Sequence, residues 1–169
     1  MNSGNRPSLP SHGARWAVFL ALGTIVAAGA ALTVYYAPGR PGSATEEGIR
    51  QFAESYFAVW SDGDMAAYRE HFAPAAQIAF VEGGQIVRVV QRDPFVAQQA
   101  ENIVKAGAKM TERMTSFSVN TDGTAAQVTA DWELRRGRQI TIGVDRFTLI
   151  RDPHGLWKIA FLLFYERDR

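Results

Sequence analysis

The sequence predicts an α+β fold: three helices packed on a strongly curved, mixed and mostly antiparallel sheet, preceded by a single N-terminal transmembrane helix. Three observations predict it: a long uncharged run near the N-terminus, three segments with helix caps or helical periodicity, and a series of β-rich runs separated by glycine-containing turns. Helices segregated from a mostly antiparallel sheet are typical of α+β domains. A sheet curved this strongly becomes a cone with a pocket inside.

The composition excludes several classes of function. The 169 residues are enough for one domain and an appendage. The net charge of +1 provides no basic field to collect phosphates, so nucleic acid is not expected as a partner. The chain has no Cys and only three His, which disfavours disulfides, a thiol nucleophile and a metal centre. We therefore expect neither a metal nor a cofactor.

The N-terminal part reads as a disordered tail followed by a membrane anchor. Residues 1–15 are rich in Ser, Pro, Gly and Asn, a composition that cannot bury a core. Residues 16–36 carry no charge and would span roughly 30 Å as a helix, the thickness of a bilayer. Trp16 stands at one end of this run and Tyr35–Tyr36 at the other, as in interfacial aromatic belts. Arg15 favours a cytoplasmic N-terminus with the remaining chain outside.

The competing interpretation of the same run is a cleaved signal peptide. The small residues Ala28-Gly29-Ala30 offer a cleavage site, although the apolar run continues beyond them. Both interpretations export the same domain. Residues 37–44 hold two Pro and two Gly and are predicted to be a linker. The predicted domain covers 45–169 and lies outside the membrane, either anchored or released as a secreted or periplasmic protein.

Three helices are predicted, at about residues 46–60, 64–72 and 93–106. Thr45 is an N-cap residue, and two Glu residues follow in the first turn. Asp64 begins a second, short helix, and Pro74 ends it. The pair Asp93-Pro94 reads as an N-cap followed by a proline in the first helical position, and Gly107 ends that helix.

Six β-rich runs are predicted to form the sheet. A hairpin is expected from residues 76–82 and 85–91, which are separated by Gly83-Gly84. Four further strands are expected as a meander, at about 109–120, 125–136, 138–151 and 156–166.

The alternation of residues along two strands identifies an unusual interior carboxylate. Side chains alternate between the two faces of a strand, so the apolar set of one strand must face inward: Val128, Ala130, Trp132 and Leu134. The corresponding inward set of the next strand is Gly143, Asp145, Phe147 and Leu149. Burying Asp145 in ionised form is costly, so we expect this carboxyl group to be hydrogen-bonded or protonated with a raised pKa.

The last strand is apolar on both faces, which predicts a cover on the outer face. One row contains Ala160, Leu162 and Phe164, and the other contains Trp157, Ile159, Phe161 and Leu163. An antiparallel sheet with one face in water should alternate instead. The second row therefore predicts a homodimer, with the chain's own tail or the membrane surface as the alternative cover.

The order of elements resembles a known superfamily. Together with YFAVWSDGD (56–64), FAPAA (72–76) and GVDRFTLIRD…LWKIAFLLFYE (143–166), it is similar to the nuclear transport factor 2-like superfamily, and within it to the SnoaL-like branch, over residues 46–169. This superfamily includes ketosteroid isomerases, polyketide cyclases, dehydratases, epoxide hydrolases and non-catalytic binding or assembly domains. The resemblance therefore implies the fold without choosing a function.

A residue-level resemblance to ketosteroid isomerases implies a polar site. The Tyr and Asp that form the oxyanion hole in those enzymes match Tyr56 and Asp145, whereas the position of their general base is occupied by Phe80. A phenyl ring cannot accept a proton, so the resemblance fails at the essential step, and no residue is assigned as catalytic. The candidate ligand-binding residues are Tyr56, Trp60, Phe80, Trp132, Asp145 and Phe147.

Three functions are compatible with these observations. The leading hypothesis is a membrane-anchored binding domain that holds a small hydrophobic molecule with an oxygen atom near Tyr56 and Asp145. The second is an isomerase, cyclase or dehydratase that uses the same pair, for which the sequence identifies no base; His71 or Glu82 would have to line the pocket to supply one. The third is a non-catalytic assembly module of an envelope complex, joined through the outer face of the last strand.

Overall fold

The computed structural model describes residues 45–167. The predicted tail (1–15), transmembrane helix (16–36) and linker (37–44) lie outside the described residues. Within residues 45–167, none of the helices combines the length and the apolar character that crossing a bilayer would require.

Three helices form where the sequence predicts them, with different boundaries. They are α1 (Glu46–Ser61), α2 (Met65–Glu70) and α3 (Arg92–Ala106). The Thr45 hydroxyl accepts a hydrogen bond from the Gly48 backbone N–H at 3.3 Å, and the Asp64 carboxylate accepts one from the Ala67 N–H at 2.9 Å. Both residues therefore act as the predicted N-caps.

The start of α3 differs from the prediction. Gln91 is the N-cap residue and the helix begins at Arg92, so Asp93 lies in the first turn. The Asp93 carboxylate accepts hydrogen bonds from Arg92 at 2.7 Å and from Arg69 at 3.0 Å. Because the carboxylate binds these two guanidinium groups, it does not cap the helix as predicted. At the other end, Gly107 adopts φ 62°, a left-handed conformation that favours glycine, and ends the helix as predicted.

Six strands form one mixed sheet. They are β1 (Phe72–Glu82), β2 (Gln85–Gln91), β3 (Met110–Thr121), β4 (Ala125–Arg136), β5 (Gln139–Arg151) and β6 (Trp157–Glu166). The order is β2-β1-β6-β5-β4-β3, and every neighbouring pair is antiparallel except β1–β6, which is parallel. The predicted mixed, mostly antiparallel sheet is confirmed. The first strand begins at Phe72, so the second helix ends earlier than expected and Pro74 lies inside a strand.

The core lies between the sheet and the helices, with the faces of β4 and β5 as predicted. Val128, Ala130 and Trp132 are buried, as are Asp145, Phe147 and Leu149. From α1, Tyr56 packs edge-on against Phe147, with ring centroids 5.1 Å apart. The helix is therefore fixed on the concave face of the curved sheet by aromatic contacts.

The prediction for the outer face of β6 is wrong in its first half. The register pairs Leu149 with Ile159 but the preceding Thr148 with Phe161, so Ala160 is an extra residue that forms a β-bulge. A one-residue insertion moves every following side chain to the opposite face. Trp157 and Ile159 are 3% and 0% exposed and belong to the core.

After the bulge, the inward row continues through Leu162 and Phe164, which contact the same core. Of the four residues predicted to face outward, only Phe161 and Leu163 lie on the other side, where they are half-buried. Both faces of β6 look apolar in the sequence because the inward-facing residues are Trp157 and Ile159 before the bulge but Leu162 and Phe164 after it.

Candidate functional site

The interior carboxyl group predicted from the sequence is present. Asp145 is 4% exposed, and within residues 45–167 it is the one charged residue that is buried. Its Oδ1 accepts a hydrogen bond from the indole N–H of Trp132 at 2.7 Å. Because an indole nitrogen can only donate, this contact fixes the Asp145 oxygen as an acceptor.

A glycine makes room for this contact. Trp132 and Gly143 are partners across β4 and β5, and Gly143 is two residues from Asp145 on the same face. A Cβ atom at position 143 would overlap the indole ring of Trp132 and would lie 2.5 Å from the backbone oxygen of Tyr165. The sequence Gly-Val-Asp therefore provides both the space for the indole and the acceptor for its N–H.

Two tyrosine hydroxyls extend the hydrogen-bond chain. The Tyr68 hydroxyl of α2 donates to the Tyr56 hydroxyl of α1 at 2.8 Å, and a further hydrogen bond from Tyr56 acts on Asp145. Burial raises the pKa of both Tyr56 and Tyr68 well above the usual value, so both hydroxyls keep their protons. The chain therefore runs from Tyr68 through Tyr56 to the carboxyl group.

The pKa of Asp145 reflects two opposing influences. Burial raises it to about 7, while the hydrogen bonds from Trp132 and Tyr56 favour the ionised form and limit the rise. The resemblance to ketosteroid isomerases implies that Tyr56 and Asp145 both donate to a ligand oxygen. Here the two residues are brought together, but Tyr56 acts as a donor to Asp145.

A second interior carboxyl group, that of Glu112 on β3, was not predicted from the sequence. Met110, Glu112 and Met114 are half-buried and alternate with the exposed Thr111 and Arg113, which places Glu112 on the interior face. This alternation is the signal in the sequence that marks Glu112 as an interior residue.

Ser61, the last residue of α1, fixes the backbone at Glu112. Its hydroxyl donates to the Glu112 carbonyl oxygen at 2.9 Å and accepts from the Glu112 N–H at 2.8 Å. Burial raises the pKa of the Glu112 carboxyl group well above the usual value, and the negative charge of Asp145 raises it further. Glu112 also acts electrostatically on Tyr56 and Tyr68. The two carboxyl groups and the two tyrosines thus form one electrostatic cluster.

The other predicted ligand-binding residues lie at different places in the core. Phe147 is 1% exposed and packs beneath Tyr56. The Trp60 N–H donates to the side chain of Gln99 at 3.2 Å. Phe80 packs edge-on against Phe164 at a centroid distance of 4.6 Å, in an aromatic group that also contains Phe95.

His71 and Glu82, the two candidate bases, lie in environments that differ from that of Asp145. Both ring nitrogens of His71 are occupied, by the Ala67 carbonyl oxygen at 3.0 Å and the Ser55 hydroxyl at 3.2 Å, and burial lowers its pKa. Glu82 is exposed at the β1–β2 turn. Within the described residues no cluster of three or more His, Asp or Glu could hold a metal ion.

A cavity of about 270 Å³ lies at the end of α1. Its lining includes Trp60, Ser61, Ile103 and Met110, so it is bordered by the serine that holds Glu112. A second cavity, of about 380 Å³, is lined by Phe72, Pro74, Arg92, Ile150 and Lys158, among others. Asp145 lines neither cavity. Glu112 also lines neither cavity, although Ser61, which is hydrogen-bonded to its backbone, borders the first.

The sequence model of a family described as "Putative lumazine-binding" matches residues 44–165. A search of the curated proteins finds no match.

Solved structures share the fold at low sequence identity. A nuclear transport factor 2-like protein of unknown function from Pseudomonas putida has a TM-score of 0.64 at 15% identity, covering 73% of this chain and 87% of that one. A protein of unknown function from Mycobacterium tuberculosis has a TM-score of 0.61 at 17% identity, covering 72% and 70%. The beta subunit of a benzoate 1,2-dioxygenase from Burkholderia mallei has a TM-score of 0.60 at 11% identity, covering 73% and 91%.

Proposed function

This chain belongs to the "Putative lumazine-binding" family, within the nuclear transport factor 2-like superfamily, and from that premise we propose that its domain binds a small, flat and largely hydrophobic molecule inside the cone. The family description supports a planar ligand that carries oxygen and nitrogen atoms. The similar structures support the fold alone, because the same fold is found in proteins as different as a dioxygenase subunit.

The observation that carries this proposal is the buried carboxyl group of Asp145 in an interior that is otherwise aromatic and aliphatic. Ligand sites are typically apolar cavities with a few fixed polar groups that orient the ligand. Trp132 and Tyr56 hold Asp145 in place, and Ser61 holds the strand that carries Glu112. If the core bound no ligand, it would be more stable with apolar residues in place of the two carboxyl groups, because removing each carboxyl group from water costs free energy.

The proposed entrance is the cavity at the end of α1. It is bordered by Ser61 and Met110, and the inward row of β3 beside it is half-buried along Met110, Glu112 and Met114. A ligand entering here would meet Glu112 before Asp145. Methionine side chains adapt readily to the shape of a bound molecule, which suits an entrance that must open.

A thermal-shift screen tests the proposal. Lumazine, 2-naphthol and related flat, oxygen-bearing compounds are added to the full-length protein in detergent. We expect at least one compound to raise the melting temperature, and we expect Asp145→Asn to weaken that rise. Glu54→Gln, an exposed position on α1, is the matched control. A panel without any stabilising compound would overturn the proposal.

We also propose that residues 16–36 anchor this domain outside the membrane. The support is the absence of charge over the run and its aromatic ends. Export with removal of a signal peptide is the alternative. Carbonate extraction and N-terminal sequencing of the mature protein separate the two, because only the uncleaved form stays in the membrane and retains residues 1–15.

Self-association through the outer face of the sheet stays a proposal, with a smaller set of residues. Trp157 and Ile159 belong to the core, so only Phe161 and Leu163 of the predicted row are available for a second copy or an envelope partner. Light scattering on the full-length protein in detergent tests the homodimer. A monomer that is unchanged by Phe161→Asp would remove it.

A further inference from the structure

We propose that the cavity of about 380 Å³ beside the start of β1 is a second ligand site, which binds a small carboxylic acid with an apolar body. Three cationic side chains in its lining would hold the carboxylate: Arg92, Arg151 and Lys158. This cavity is called the basic cleft. It is separate from the site proposed inside the cone, because neither of the two interior carboxyl groups lines it, and it stands whether or not that other proposal holds.

The basic cleft exists because β1 and β6 separate at one end of their parallel pairing. Phe72 of β1 pairs with Ile159 of β6. The next pair is Gln77 with Phe161, so four residues of β1 lie opposite one residue of β6. Pro74, which has no N–H group to donate to a neighbouring strand, belongs to this stretch and lines the cleft. The opening is therefore produced by the register of the sheet.

The guanidinium group of Arg151 is oriented at the cleft without being neutralised. Its Nε donates to the carbonyl oxygen of Gly123 at 3.1 Å and its Nη1 to that of Gly155 at 2.7 Å, while the group lies 4.2 Å from the ring centroid of Trp157. None of the ion pairs within residues 45–167 includes Arg151. In that part of the chain Nη2 makes no hydrogen bond, so it is available to a ligand carboxylate.

The other two cations of the cleft are only partly neutralised. The side chains of Arg92 and Lys158 are 12% and 16% exposed, so both charges have lost most of their contact with water. Arg92 shares the carboxylate of Asp93 with Arg69, at 2.7 and 3.0 Å, so one carboxylate serves two guanidinium groups. The Lys158 ammonium group donates to the backbone oxygen of Glu70, whose carboxylate is 3.8 Å away. Both cations can therefore bind a further anion.

Two acidic residues also line the cleft, but they do not balance the three cations. The Asp152 carboxylate accepts hydrogen bonds from the backbone N–H groups of Leu156 and His154, both at 2.9 Å, and these bonds lower its pKa. The Glu70 side chain is 70% exposed, so its charge is largely screened by water. The lining has an excess of one positive charge, three cations against two carboxylates, which suits a singly charged ligand.

The apolar part of the lining indicates an organic acid, not an inorganic anion. Phe72 lies buried at the cleft, whereas Ile150 is 40% exposed and would be covered by a bound molecule. Ile150 is the cross-strand partner of Lys158, so an apolar surface lies directly beside a cation. A volume of about 380 Å³ is within the range typical of small-molecule sites and is more than a bare inorganic anion fills.

Calorimetric titration with 2-naphthoate tests the site, using the full-length protein in detergent and protein-free micelles as the blank. We expect 2-naphthoate to bind and its neutral analogue, 2-naphthalenemethanol, to bind about tenfold more weakly, because hydrogen bonds to a charged group contribute about this factor. Acetate, which lacks the apolar body, should also bind more weakly. The proposal is overturned if 2-naphthoate does not bind, or if either comparison compound binds as tightly.

Variants of the lining locate the bound probe. Lys158→Gln and Arg92→Gln should each weaken 2-naphthoate binding about tenfold. Ile150→Glu, at an exposed position, places a carboxylate beside the cations and should abolish binding while the fold, checked by circular dichroism, is kept. The matched control is Arg146→Gln, which removes an exposed cation of the same strand outside the cleft and should bind like wild type.

The same titrations distinguish the basic cleft from the site inside the cone. If Ile150→Glu and Lys158→Gln bind 2-naphthoate like wild type, the cleft is not its site and the proposal is overturned. If, in addition, Asp145→Asn abolishes binding, the probe occupies the cone, and the binding function proposed above stands without a second site.

Discussion

Trp132 and Gly143 face each other across β4 and β5, and the indole ring occupies the space that a side chain at position 143 would need. The same indole donates its N–H to Asp145, two residues further along β5. The orientation of the buried carboxyl group therefore depends on the absence of a side chain at a neighbouring position. Each part of this arrangement can be altered separately.

The first prediction concerns Gly143→Ala. The added methyl group would overlap the indole and crowd the Tyr165 backbone, so Trp132 must move away from Asp145. We expect the free energy of unfolding to fall by about 1–3 kcal/mol, as for other overpacked cores. Urea denaturation measures it, with the exposed Ser118→Ala on β3 as a control. Unchanged stability would mean that the sheet absorbs the methyl group without moving the indole.

The second prediction concerns Trp132→Phe, which keeps an aromatic ring and removes the N–H donor. Without that donor the ionised form of Asp145 is less favoured, so its pKa should rise above the value of about 7. Titration of the Asp145 carboxyl carbon by NMR measures the shift. A lower or unchanged midpoint would contradict the assigned role of the indole.

The third prediction is a pH dependence of stability. Asp145 has a folded-state pKa of about 7, above the ordinary value of about 3.9 for an unfolded chain. Between these two values the folded state holds the proton more tightly. The contribution of Asp145 is therefore fully present below about pH 4 and is lost as the pH rises toward 7. The loss is on the order of 3–4 kcal/mol.

Other groups titrate in nearby windows, so the comparison must be with a variant. His71 has a lowered pKa and works in the opposite direction, because its neutral form is favoured on folding and stability falls as acid protonates it. Glu112 also has a raised pKa, so its contribution has the same sign as that of Asp145. The difference in unfolding free energy between wild type and Asp145→Asn isolates Asp145. A difference that stays constant from pH 4 to 7 would refute the raised pKa.

The fourth prediction tests the bulge in β6. Ile159 is 0% exposed, whereas Phe161 lies on the other face, so Ile159→Asp should abolish folding and Phe161→Asp should be tolerated. Circular dichroism and thermal melting of the two variants measure this. If both variants lost their structure to the same extent, the assignment of Ile159 and Phe161 to opposite faces would be contradicted.

The fifth prediction concerns the Ser61 contact with Glu112. Ser61→Ala removes a hydroxyl that serves both the N–H and the carbonyl oxygen of an edge-strand residue. We expect a loss of about 1–2 kcal/mol in unfolding free energy, because two hydrogen bonds disappear together. The control is again Ser118→Ala, a serine on the same strand but on its exposed face.

The parts of the fold that were predictable from the sequence are those in which one pattern dominates. On β4 and β5 the strict alternation sorts the faces correctly, and Asp145 is visible because it interrupts an apolar row. On β6 the pattern fails, because both rows are apolar and nothing in the sequence marks Ala160 as the extra residue. The predicted start of α3 is wrong for a different reason. The Asp93 carboxylate forms an ion pair with Arg69, a residue that is distant in sequence.

The candidate site was predictable only in part. Tyr56 and Asp145 lie together, as the resemblance to ketosteroid isomerases implies, but the direction of the bond from Tyr56 depends on Tyr68. The hydrogen bond from Trp132 to Asp145 was not predicted from the sequence. The alternation of β3 marks Glu112 as an interior residue. Its electrostatic interaction with Asp145, however, depends on how the sheet curves, which the sequence pattern does not specify.

The parallel pairing of β1 with β6 has a consequence for the order of folding. The strand that is made last lies in the middle of the sheet, between the β1–β2 hairpin and the β3–β5 meander. These two pieces have no shared backbone ladder until Trp157–Glu166 inserts between them. Closing a loop from Phe72 to Ile159 is a non-local step, so assembly of the domain is expected to be slow and to wait for synthesis of the final strand.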